Sequence, residues 1–135
     1  MAELFARRLP AALSTLLVAS VGCTSSDARL EQHRRTLQSL TTSAAAIGDG
    51  WLSGHLTSRF AGTALERTFE LVEQERQSLA GDPGAMAEAA TWSLVQTADA
   101  ESRAIALMAR DITADDRPLL RQHLAQRAPA DRGLR

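Results

Sequence analysis

The sequence predicts an all-α fold: three long helices running up, down and up, capped by a short fourth helix. Three observations carry this. Apolar residues recur at alternating spacings of three and four through most of the chain beyond residue 26. Ala is abundant while Val and Ile are few, a composition that favours helix over strand because Ala loses no side-chain entropy. No segment alternates with period two, and there is no repeat or low-complexity tract.

The first helix is expected to open with a cap at Ser26 or Asp27, with Leu30, Leu37, Leu40, Ala44, Ile47 and Trp51 on one stripe. Gly48 and Gly50 weaken it, and it either stops there or continues to about His55. Thr63-Ala64-Leu65-Glu66 has the form of a capping box, so the second helix is expected over 63–80 on Leu65, Phe69, Val72 and Leu79. Gly81 closes it and Asp82-Pro83 reopens a helix, with Asp as cap and Pro in the first position. That third helix is expected to reach Ile112 on a wide face that includes Ala87, Ala90, Leu94, Val95, Ala98, Ile105, Met108 and Ala109. A short helix follows Asp115-Asp116-Arg117-Pro118 with Leu119, Leu120 and Leu124 inward, and residues 128–135 are expected to fray.

A chain of 135 residues allows one domain. All fifteen basic residues are Arg and the formal net charge is -1, so the chain lacks the basic stripe that nucleic-acid binding by counterion release requires. Cys23 is the single cysteine, which excludes an intramolecular disulfide.

The first 23 residues, MAELFARRLPAALSTLLVASVGC, fall into three parts. Arg7 and Arg8 form a positive cluster, Leu9 to Val21 is an apolar run of 13 residues, and Ala19, Ser20 and Gly22 are the small residues ahead of Cys23. The run has the length of a signal-peptide core and is shorter than the roughly 20 residues a bilayer-spanning helix needs. The segment resembles the bacterial lipoprotein signal peptide, with Val21-Gly22-Cys23 matching the last three lipobox positions. Ser20 departs from that pattern, which usually carries Leu, Val or Ile there.

The resemblance implies a leader over 1–22 that is cut before Cys23, a diacylglycerol on the Cys23 sulfur, and often a further acyl group on the new N-terminus. It also implies the outer membrane, periplasmic side, where the source has one, because Thr24 rather than Asp follows the Cys. Two or three acyl chains anchor stably at about 0.8 kcal/mol per buried CH₂. Residues 23–26 would then be a tether of only about 13 Å, and residues 27–127 the bundle domain. Two ordinary cleavage sites, Val18-Ala19-Ser20 and Ser20-Val21-Gly22, offer secretion without lipid as the alternative.

Within the domain, three constellations invite a functional reading. His55 ends the first helix and His123 lies in the fourth, so the topology brings them to one end, where Asp111, Asp115 or Asp116 supplies an oxygen. A His pair with a carboxylate suits zinc, copper or iron, which makes a metal- or haem-binding bundle the alternative function. No histidine, however, has a second ligand at the i, i+4 helical spacing that marks such sites.

Arg76 and Glu101 fall on the inner faces of the second and third helices at similar heights and are expected to pair as a registry device, with Thr97 and Ser102 beside them. Trp92 falls with Gln96, Asp99, Arg103 and Arg110 on the polar face of the third helix, an exposed candidate for a partner contact unless its ring lies along its neighbours. His33 sits inside the apolar stripe between Leu30 and Leu37 and is expected to bond a neighbouring helix or lipid headgroups.

No phosphate-binding Gly loop, C-x-x-C-H or G-x-S-x-G motif is present. The function expected is therefore a non-enzymatic envelope lipoprotein. It would act through protein contacts and carry no cofactor besides the lipid on Cys23.

Overall fold

The computed structural model describes residues 24–81 and 88–127, with side chains from Ser26 onward. It contains four helices: α1 (Thr24–Leu52), α2 (Ser58–Ala80), α3 (Ala89–Thr113) and α4 (Arg117–Arg127). Among the described residues there is no strand. The all-α bundle of three long helices and a short fourth is the architecture the periodicity predicts. The leader, Cys23, the Asp82-Pro83 cap and the tail over 128–135 lie outside the described residues, but Glu88 is extended at φ -92° and ψ 128°, so α3 begins at Ala89 and does not run unbroken from Pro83 as expected.

The core is built on heptad spacing. Leu37, Ala44 and Trp51 are buried on α1, Leu65, Val72 and Leu79 on α2, and Ala98, Ile105 and Ile112 on α3. A strict spacing of seven keeps one seam facing its neighbours along antiparallel, slightly crossed helices. Ala44, Ala61 and Ala98 are fully buried, so the backbones approach closely at those levels. The α2–α3 contact is the most extensive, and α4 lies on α1 and α3, away from α2.

Element boundaries move where packing or capping outweighs the local signal. The chain is helical from Thr24, so the tether expected over 23–26 is part of α1 from its second residue. Gly48 and Gly50 do not stop α1, because both are used for close approach. A Cβ on Gly48 would lie 2.9 Å from Met108 Cε and 3.2 Å from a Leu124 methyl, and one on Gly50 would lie 2.9 Å from a Leu56 methyl. The helix ends two residues after Gly50 in a turn that satisfies terminal carbonyls. Gly54, at φ +79°, donates its N–H to Trp51 O, and the His55 N–H goes to Gly50 O.

Helix α2 starts earlier than the capping box indicated. Thr57 is its N-cap, accepting the Phe60 N–H at 3.3 Å, and Thr63 lies inside the helix. The extra turn buries Ala61 completely. Asp115, at φ +54°, ends α3 in the left-handed conformation, and Asp116 caps α4 by accepting the Leu119 N–H at 3.0 Å.

The fit at Gly48 generates a prediction. Gly48→Leu should lower the unfolding free energy by about 1–3 kcal/mol, because the new side chain overpacks the place where α3 and α4 meet α1. Urea denaturation followed by circular dichroism measures this, and an unchanged midpoint would contradict the close approach.

Candidate functional site

Polar ties index each helix against the next. His33 on α1 donates Nδ1–H to Glu75 Oε1 on α2 at 2.6 Å, with both side chains partly buried. The stripe position of His33 is thus satisfied by a neighbouring helix. At the other end of the same interface, Trp51 Nε1 donates to Ser58 Oγ at 3.0 Å.

Between α2 and α3, Glu73 is the hub. It accepts Arg76 Nη2 at 2.8 Å and Nε at 3.1 Å, and Ser102 Oγ from α3 at 2.5 Å. Arg76 also lies 3.4 Å from Asp99 on α3. These groups line a shallow groove of about 430 Å³ together with Phe69, Arg103 and Ala106. The Arg76 guanidinium, and next the Ser102 hydroxyl, hold the Glu73 carboxyl below the usual glutamate range. Glu73 in turn raises the Arg76 pKa further. A carboxylate held this way is a weak base, the opposite of the raised pKa a general base needs to activate Ser102. The network is a clamp.

The expected pair of Arg76 with Glu101 does not form. Arg76 binds Glu73 and Asp99, while Glu101 binds Arg127 of α4, whose Nη1 also reaches Met108 Sδ at 3.1 Å. The apolar stripe of α3 has two flanks. Asp99, Ser102 and Ala106 border α2, whereas Glu101 and Met108 border α4. The two heights match, but the flanks do not. Ser102 joins the clamp as expected, whereas Thr97 is exposed and bonds its own helix at Ser93 O.

The His55 and His123 alternative is also revised. His55 is exposed in the α1–α2 turn with Nδ1 2.8 Å from Ser53 Oγ, a hydroxyl that has the Asp49 and Gly50 carbonyls to donate to. His123 donates Nδ1–H to Asp111 Oδ2 at 2.6 Å. Asp111 is 1% exposed, and its other oxygen has no hydrogen-bond donor, only the Arg110 guanidinium at 3.5 Å. Asp111 thus meets His123, as one of the expected carboxylates, but His55 does not join them. Among the described residues no group of three or more His, Cys, Asp or Glu is placed to hold a metal ion. No hydroxyl bonds His123 among them either, so the Asp–His pair lacks the nucleophile of a triad.

Two further ties complete the far end. The Arg117 guanidinium lies 4.7 Å from the Trp51 ring centroid and donates to Leu52 O at 3.2 Å, joining α4 to α1. Trp92, by contrast, is 50% exposed on the outer face of α3, as its helical angle predicted. Among the described residues no helix is long and apolar enough to cross a membrane. No family model, no curated protein and no solved structure matches the chain.

The clamp makes a pH prediction with a definite sign. A carboxyl whose pKa is depressed by folding contributes stability above its ordinary value, near 4.5, and loses it as the pH falls through the folded value. Stability should therefore decline below about pH 4.5, and Glu73→Gln should show a shallower decline together with a loss of about 1 kcal/mol at neutral pH. Denaturant titrations at several pH values measure both slopes; identical slopes would contradict the clamp.

Proposed function

We propose that the chain is a lipid-anchored envelope protein, cut before Cys23 and acylated there, whose helical domain works through protein contacts without catalysing a reaction. The observation that carries this reading is the order of parts: a positive cluster, a 13-residue apolar run, small residues and the single cysteine, followed at Thr24 by a helical bundle. The described helices supply no membrane-spanning segment, so attachment falls to lipid in this reading.

The chemistry of the domain supports a non-enzymatic role. Glu73 is a weakened base, Asp111 and Glu101 are engaged by α4, and Glu75 is engaged by His33. Outer-membrane residence, facing the periplasm, follows from Thr24 in the position after the cysteine if the source has two membranes.

Mass spectrometry of the protein isolated from its host tests the proposal. The mature N-terminal peptide should begin at Cys23 and carry a diacylglycerol thioether. A peptide that reads intact through Val21-Gly22-Cys23 would contradict it.

A further inference from the structure

The ties between helices allow the two tryptophans to be placed along the bundle axis. His33 is level with Glu75, and the Glu73–Ser102 and Arg76–Asp99 contacts put Glu75 level with Ala100. Trp92 is eight residues nearer the N-terminus of α3, so at 1.5 Å per residue it lies about 12 Å beyond the His33 level. Thr24 lies nine residues from His33, about 13.5 Å in the same direction. Trp92 is therefore in the end layer of the bundle, level with the start of α1 and the residue that follows Cys23. Trp51 lies at the opposite end, roughly 40 Å away along the axis, and is buried.

The orientation of α3 adds to this. Side chains in a helix lean toward its N-terminus, and the N-terminus of α3 is at the end where α1 begins. Trp92 thus leans outward toward that end while remaining half exposed. An indole is apolar over most of its surface and carries one N–H, the combination that places Trp at the headgroup level of membranes.

We infer that Trp92 is an interfacial anchor that seats this end of the bundle on the phospholipid surface, a reading that rests on the lipid anchor at Cys23. Cys23 immediately precedes α1 in the chain, so in this reading an acylated sulfur holds the end of the bundle that carries Trp92 against the headgroups. Charge contributes little. Arg29, Arg34 and Arg35 on α1 are balanced by Asp27, Glu31 and the exposed Glu88 that caps α3, so these groups leave no net charge to draw the end toward anionic headgroups. The ring carries the contact, and it fixes the bundle upright with α4 and Trp51 held away from the bilayer.

The test is tryptophan fluorescence of the full lipidated protein in phosphatidylethanolamine–phosphatidylglycerol vesicles brominated in the upper acyl chains. The emission should lose about half its intensity, the share of one tryptophan in two, with a blue shift. Trp92→Phe should remove the quenchable part, leaving the unquenched emission of Trp51. Lipidated, vesicle-bound protein with unquenched, water-like Trp92 emission would overturn the inference and leave the anchor standing. Protein found by mass spectrometry to lack lipid on Cys23, and absent from the vesicles, would overturn both.

Discussion

The structure depends on the register between α2 and α3. Their buried heptad rows are Leu65, Val72 and Leu79 on α2 and Ala98, Ile105 and Ile112 on α3, and apolar rows of this kind tolerate a slip of one heptad. The Glu73 clamp removes that freedom, because its carboxylate must meet Ser102 while Arg76 meets Asp99. Once that pair is indexed, α1 is indexed to α2 by His33 at one end and Trp51 at the other. Helix α4 then docks where α1 and α3 leave a gap, with Leu120 buried and Leu124 over Gly48.

The same ties occupy four of the domain's carboxylates. A catalytic carboxylate needs an environment that leaves it basic or keeps it protonated. Here Glu75, Glu101 and Asp111 each face a cation or a histidine across a helix boundary, while Glu73 pairs with Arg76 on its own helix and meets the Ser102 hydroxyl across the α2–α3 boundary. Burying Asp111 almost completely carries a desolvation cost, which the short His123 contact meets, and the Glu101–Arg127 pair adds a second polar tie between α3 and α4 beside the apolar contacts of Leu120 and Leu124.

Much of this was legible in the sequence. The α segments followed from periodicity, and the exposure of Trp92 followed from its angle to Leu94 and Ala98. The start of α2 was not legible, since Thr63-Ala64-Leu65-Glu66 is a sound local capping signal that the burial of Ala61 overrides. Neither was the partner of Arg76. A helical wheel gives Glu101 an inward position but cannot say which flank faces α2, and that choice is made by where α4 docks. Glu73 and Arg127 were missed for the same reason, although the i, i+3 spacing of Glu73 and Arg76 was a signal that could have been weighed. Gly48 and Gly50 read as weak points of a helix because the sequence does not display the side chains that close over them.

The claim on which the rest stands is the antiparallel register that brings the start of α1 level with the first turns of α3. Pulsed electron-spin resonance on the full chain, in a Cys23→Ala background with spin labels at Ser26 and Gln96, measures it directly. A separation of roughly 15–25 Å is expected for that pair, and roughly 35–45 Å when the first label is moved to Ser53, given 1.5 Å of rise per helical residue. Equal separations, or a longer distance from Ser26 than from Ser53, would contradict it.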